Sequence, residues 1–361
     1  MSKIKLFDPY VDIQEERILK KVLKSHNWAS GSGGENVQKF EQEFKKFVGS
    51  DDCIALNSGT AALNLSLSLN DFKNKEIILP SLTFTATANA VVLNNAKPVF
   101  VDVDPNTLCI DVEHIRKAIT KNTRAIIPVH FAGMACNLDE IIEVCKTHNI
   151  QLIEDAAHAV GTKYNKRRIG SHGNAVCFSF HPVKNLAMPT GGLIAINCLD
   201  NKKIRQKLLA RRWCGITDRR NTDYDIKEMG WNYYMNEFSA AIGLVQLKKL
   251  DAANKIRQKI AKKYFDKLNL EEKMPYDSDC SYHFYWIRVK NRKKFRKKMS
   301  DAGIETGTHY KPVHTFSFYK KNKSLPITEQ IGQDIVSIPT HPNLSERNIN
   351  KIIESVNKFL D

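Results

Sequence analysis

From about residue 53 to residue 197 the chain alternates short apolar runs with stretches of helical spacing. EIILP (76–80), KPVFVDV (97–103), RAIIPVH (124–130), IQLIED (150–155), AVCFSF (175–180) and LIAIN (193–197) read as strands. Most are nearly continuous in apolar residues, the pattern of strands covered on both faces. Between them TAALNLSLSL (60–69) and TATANAVVLNN (85–95) read as helices. Asn137, followed by Leu138, Asp139 and Glu140, looks like a capping box opening a helix that runs to about His148. This alternation predicts an α/β fold, with a mostly parallel sheet flanked by helices.

After residue 230 the pattern changes. Over 236–268 the apolar residues recur mostly at three-to-four spacing, which predicts one long helix or two in series. YHFYWIRV (282–289) reads as a strand, and 291–302 as a helix closed by Asp301-Ala-Gly-Ile. The expected division is a large domain over 1–247, N-terminal segment included, and a smaller α+β C-terminal domain over 248–361.

Length and composition fit that division: 361 residues, 42% hydrophobic and 26% charged. The eight Cys form no C-x-x-C pair and there is no H-E-x-x-H, so no metal site is predicted. No apolar run approaches the ~18–20 residues that span a bilayer. The opening MSKIKLFDPYVDIQEER lacks an apolar signal core. A cytoplasmic protein without a membrane partner is expected.

The formal charge of +16 raises the question of nucleic acid. The densest basic cluster, KNRKKFRKKM (290–299), has Phe295 and Met299 four residues apart. That spacing makes the cluster the solvated face of an amphipathic helix. No nucleic-acid-binding motif accompanies it, and no nucleic-acid partner is expected. The charge also suits a small anionic substrate.

Three stretches carry candidate chemistry. NSGTAAL (57–63) puts small residues directly before a helix, where backbone N–H groups can meet an anion; a plain N-cap is the alternative. In IEDAAH (153–158), Asp155 ends an apolar strand, where open α/β sheets bind ligands, though such an Asp can equally cap a helix. His158 follows three residues later. In FSFHPVKNLAMPTGGLIAIN (178–197), His181-Pro182 breaks a strand and leaves Lys184 on a loop between two buried strands. There the amine must snorkel or be used. A phosphate turn, a strand-end Asp and a loop Lys, in that order, are what pyridoxal phosphate chemistry needs.

At these residues the sequence resembles the DegT/DnrJ/EryC1/StrS family of pyridoxal-phosphate-dependent nucleotide-sugar aminotransferases. The blocks, in order, are NSGTAALNLSL, PSLTFTATANAV, FVDVDP, IIPVHFAGMACNLDEI, IEDAAHAVG, FSFHPVKN, WNYYMNEFSAAIGLVQLKKLD, GIETGTHYKPVH and IPTHPNLSE. The resemblance implies an aspartate-aminotransferase-like fold of fold-type I. It makes Lys184 the Schiff-base lysine and Asp155 the partner of the pyridine nitrogen. His158 falls beside the ring hydroxyl and Phe84 over the ring face. Ser58, Gly59, Thr60 and Ala61 form the phosphate turn, with Ser179 as a side-chain phosphate ligand. Asn232 matches an asparagine that reaches the neighbouring subunit's phosphate, which implies a homodimer with shared sites. His309, Tyr310 and His314 fall near the sugar nucleotide.

Two places depart from the family pattern. Met188-Pro189-Thr190 stand where Gly-Glu or Gly-Asp precedes Gly-Gly, and Tyr234 stands where Arg is common. Substrate choice is expected to lie there. The resemblance implies L-glutamate as donor, a keto-deoxysugar nucleotide as acceptor and an amino sugar for a surface glycan or lipopolysaccharide as product. The HPVK sequence is similar to relatives acting at sugar C4 rather than C3. A regulator that keeps the fold without catalysis is the alternative.

Overall fold

The structure, a computed structural model, describes residues 3–197, 200–319 and 324–360. Two helices, α1 (Ile13–Ser25) and α2 (Glu35–Val48), precede an alternating region. That region runs β1 (Asp52–Leu56), α3 (Gly59–Ser68), β2 (Glu76–Pro80), α4 (Thr85–Leu93), β3 (Lys97–Val101), α5 (Val112–Ala118) and β4 (Thr123–Ile126). It continues through α6 (Leu138–His148), β5 (Gln151–Asp155), the small hairpin β6 (Lys163–Tyr164) and β7 (Arg167–Arg168), then β8 (Ala175–Ser179) and β9 (Gly192–Ile196). Next come α7 (Asn201–Arg212), the exposed hairpin β10 (Ile216–Arg220) and β11 (Asp223–Ile226), and α8 (Glu237–Lys267). The chain ends with β12 (Tyr285–Arg288), α9 (Arg292–Asp301), α10 (Pro326–Asp334), β13 (Ile335–Ile338) and α11 (Glu346–Phe359).

Seven strands form one sheet in the order β1-β9-β8-β5-β4-β2-β3. Only β9 runs against the rest, pairing antiparallel with β1 and β8; the other pairings are parallel. The mixed α/β expectation is met. Six apolar runs become strands, most of them shorter than the run. β4 stops at Ile126, but the path continues alongside β5, with Val129 bridging Asp155. The reading missed β1, whose five residues are too few to show a period.

Helix ends follow local chemistry. Asn137 caps α6 by accepting the Glu140 N–H, but the Glu140 carboxylate meets the Asn137 side-chain amide, so only half of the expected box forms. Gly34 gives α2 no side-chain cap, and Glu237, from α8, accepts the Asn36 and Val37 N–H groups at 2.9 and 3.1 Å instead. The 236–268 pattern is one helix, α8, which passes through residue 247 without a break. The expected strand over 282–289 forms as β12, paired antiparallel with β13. Ile4 bridges Ile304, tying the N-terminal segment to this C-terminal part.

On α9, Phe295 and Met299 are buried while most of the basic residues between them are exposed. Cys53, Cys109, Cys136, Cys145, Cys177 and Cys280 are buried, and Cys214 is exposed. Cys198 lies outside the described residues. Among those described, no helix is long and apolar enough to cross a membrane.

Candidate active site

Because six strands share a direction, their carboxyl ends meet on one edge of the sheet, and a cavity of about 330 Å³ opens there. Its lining includes Ser58, Gly59 and Thr60 from the start of α3, Phe84 and Thr87 around the start of α4, and Asp155, Ala157 and His158 after β5. Ser179, Lys184, Thr190 and Gly191 come from the β8–β9 connection, and His309 and Tyr310 from the C-terminal part. Most of the predicted site residues therefore converge.

Two glycines let the start of α3 sit against the sheet. A Cβ on Gly59 would fall 2.7 Å from Ser179 Cβ, and one on Gly192 would fall 2.2 Å from the Ser58 backbone. Ser58 caps the helix, its Oγ accepting the Ala61 N–H at 3.1 Å. The first N–H groups of a helix have no acceptor within it, so Gly59 and Thr60 offer theirs to an anion. Ala61 was expected to offer its N–H too, but that group serves the cap, and Ala61 is not part of the cavity wall.

Asp155 is 5% exposed and held on both oxygens. Thr87 donates its hydroxyl to Oδ2 at 2.7 Å, and the Ala157 N–H donates to Oδ1 at 3.1 Å. Burial raises its pKa, against the pull of these two donors and of Lys184. Lys184 leaves the strand at the predicted loop. Its neighbour Asn185 anchors the loop by donating to Asn254 Oδ1 at 3.0 Å and to the Ser281 carbonyl at 2.8 Å. Loss of water lowers the Lys184 pKa to about 8, opposed by Asp155.

The His158 Nδ1 accepts the Ala132 N–H at 3.3 Å, and its Nε2 faces the Tyr310 hydroxyl at 3.0 Å. Burial, then Lys184 and His309, keep this ring neutral, with a pKa well below the usual range. The Nε2 proton then points to Tyr310. Burial also pushes the His309 pKa down to about 3, with further lowering by Lys184. Phe84 is 58% exposed at the cavity lip, which leaves its ring free to cover a flat ligand.

Several expectations need correction or refinement. His314 does not line the cavity. Its Nδ1 pairs with Ser81 Oγ at 2.6 Å and its Nε2 with Glu329 at 3.2 Å, in a buried structural link. Of the residues that depart from the family pattern, Met188 is core at 2% exposure, beside the buried Leu186, and only Thr190 reaches the cavity. Tyr234 bridges Leu56 and packs edge-on against Trp213. Asn232 is exposed, outside this chain's own cavity, and its carbonyl accepts from Asn57 Nδ2 at 3.1 Å.

Thr87, which holds Asp155, and His283, whose Nε2 lies 3.4 Å from Lys184 Nζ, were not singled out in the sequence. Thr87 sits among small helical residues that carry no period. His283 was one letter of a strand-like run; its signal was a lone imidazole amid aromatic residues.

The site suits pyridoxal phosphate. It combines a cradle that a Cβ would fill, a fixed buried carboxylate, an exposed aromatic ring and an amine of lowered pKa. Residues 10–357 match the model of the DegT/DnrJ/EryC1/StrS aminotransferase family. The spore coat polysaccharide biosynthesis protein SpsC of Bacillus subtilis is 34% identical, over 96% of this chain and 95% of that protein. PseC of Helicobacter pylori, described as an aminotransferase involved in the biosynthesis of pseudoaminic acid, superimposes with a TM-score of 0.94 at 26% identity, covering 99% of both chains. Spr1654 of Streptococcus pneumoniae in its PLP form gives 0.92 at 26% identity, over 99% of this chain and 98% of that one. The chain belongs to the DegT/DnrJ/EryC1/StrS aminotransferase family, whose cofactor is pyridoxal phosphate.

Proposed function

We propose that the protein transfers an amino group from L-glutamate to a keto group of a nucleotide-linked deoxysugar, at C4 in preference to C3, for glycan or glycoconjugate biosynthesis. The observation that carries this is the convergence of Lys184, Asp155 and the start of α3 on one cavity. SpsC and PseC, both described by roles in sugar or polysaccharide biosynthesis, support the sugar as acceptor. The homodimer rests on the outward position of Asn232, which leaves it available to a second copy's site. A division at 247/248, within α8, would hold Lys184 and Asp155 on one domain and bring His309 and Tyr310 from the other.

When bound, pyridoxal phosphate supplies a ring that takes up the electron pair left on a substrate's α-carbon. Gly59 and Thr60 would hold the phosphate through backbone N–H groups, with Ser58 and Ser179 beside them. Asp155 would keep a proton on the ring nitrogen. Lys184 has a pKa near 8, so its free amine is populated near neutral pH and can take and return the proton at the α-carbon. Phe84 at the lip and the neutral rings of His158 and His309 in the wall would limit the water around the reacting amine.

The test is incubation of the purified protein with L-glutamate and a panel of keto-sugar nucleotides, read by mass spectrometry and NMR. Formation of 2-oxoglutarate and one amino sugar is expected, with both lost in Lys184→Ala. Transamination by Lys184→Ala at the parent rate would sink the mechanism. No turnover with any acceptor, despite bound cofactor, would favour the non-catalytic regulator.

A further inference from the structure

Behind Lys184 stands His283. Its Nε2 lies 3.4 Å from Lys184 Nζ. Lys184 is the ring's only hydrogen-bond partner among the described residues, because the buried Nδ1 has none. The ring is 2% exposed and fixed in place. Phe7 stacks on it at 5.1 Å and 18°, His158 packs against it at 4.7 Å and 31°, and its backbone N–H donates to the Ala132 carbonyl at 2.8 Å. A buried polar ring with one partner is aimed at that partner.

We propose that His283 is the positioning residue of Lys184: a neutral imidazole whose Nε2 accepts a hydrogen bond from the lysine ammonium and holds Nζ at the cavity wall whenever the amine is free. The inference rests on the reading of Lys184 as the cofactor lysine. When Lys184 gains a proton, one of its three N–H groups points at Nε2. The ring keeps its own proton on Nδ1, and no proton passes between them.

The surroundings enforce that arrangement. Burial, then Lys184, His158, Arg257 and His309, hold the His283 pKa well below the usual range, so the ring stays an acceptor. Lys184 is faced by Asp155, His158, His181 and His309. Tyr310 stays protonated through burial. Of these groups only Asp155 offers negative charge. Among the described residues His283 is the hydrogen-bond partner of Nζ and Asp155 the carboxylate that pulls on it, so without His283 the pull of Asp155 is unopposed by a hydrogen bond.

The experiment compares His283→Leu, which removes the acceptor, with His283→Gln, whose amide oxygen restores one. The first readout uses the apoprotein: the rate at which cyanate modifies Lys184, followed by peptide mass spectrometry across pH. An acceptor to an ammonium stabilises the charged form, so Lys184 should titrate about one unit lower in His283→Leu and near the parent in His283→Gln. The second readout is the glutamate half-reaction of the loaded enzyme, expected to slow about tenfold in His283→Leu with unchanged KM and to recover in His283→Gln. Parent-like titration of Lys184 in His283→Leu, or a His283→Gln variant no better than His283→Leu, overturns the proposal. No glutamate half-reaction in the unaltered loaded protein, with the expected titration, would instead count against the aminotransferase reading alone. Should His283→Leu fail to fold, ¹⁵N-imidazole spectra of the unaltered protein at pH 6.5 decide. They should show a neutral Nδ1–H tautomer whose Nε2 resonance moves in Lys184→Met, and an Nε2–H tautomer overturns the proposal.

Discussion

Thr87 donates its hydroxyl to Asp155 Oδ2 at 2.7 Å, which joins the first turn of α4 to the end of β5. The Thr87 hydroxyl also meets Thr83 Oγ1 at 2.9 Å, so the carboxylate is oriented by a short chain of hydroxyls. A carboxylate held on both oxygens and still raised in pKa is destabilised in the fold and pre-aimed for a partner.

Asp155→Asn should therefore stabilise the apoprotein while abolishing activity. The folded-state pKa is raised above 3.8, so the ionised form carries a cost above that raised value, and protonation removes the cost as pH falls. The variant's Tm should exceed the parent's at pH 7.5, and the gap should close toward pH 4. Transamination should fall at least about 100-fold. A lower Tm at pH 7.5 would contradict the burial argument.

Glu41 holds together α2, β1 and α7. Its Oε1 accepts from Arg212 at 3.0 Å and from the Ala55 N–H at 2.9 Å, and its Oε2 accepts from Arg205 at 2.8 Å. Arg212 is 1% exposed. Glu41→Ala strands that guanidinium and should cost about 3–5 kcal/mol, measured by urea unfolding. Glu41→Gln, which keeps an acceptor, should cost clearly less.

His314 offers a contrast between structure and substrate. His314→Leu removes the links to Ser81 and Glu329 and should cost about 2 kcal/mol of stability while leaving KM for the sugar nucleotide unchanged. His309→Leu, at the cavity wall, should change that KM. Kinetics of both variants at a temperature well below their Tm separate the two roles.

Shared sites would show in a mixing experiment. Lys184→Ala and Asn232→Ala homodimers should each be inactive or nearly so, and heterodimers should regain up to about one site's activity per dimer, half that of the parent dimer, because one of the two sites then carries both native residues. Confirmed heterodimers with no recovered activity, from a truly inactive Asn232→Ala parent, would show that each chain completes its own site.

Lys184 and Asp155 were legible because a loop lysine between two apolar strands and an acid at a strand end break strong local patterns. The sheet was legible for the same reason, since burial on both faces writes itself as continuous apolar letters. Residues that act across long separations had no such trace. His283 reaches Lys184 over a sequence separation of 99, and Thr87 reaches Asp155 over 68.

The sequence by itself determined the α/β class, the helical spacing over 236–268 and the identity of the chemical groups at the ends of β5 and β8. These follow from local propensity and burial, which act within a few residues. Only the tertiary structure decided which of the later histidines face the cavity, that His314 belongs to the core, that Leu186 and Met188 pack inward and that His283 stands behind the lysine. Those outcomes depend on how the C-terminal part packs against the sheet edge, and packing of distant segments leaves no period in the letters.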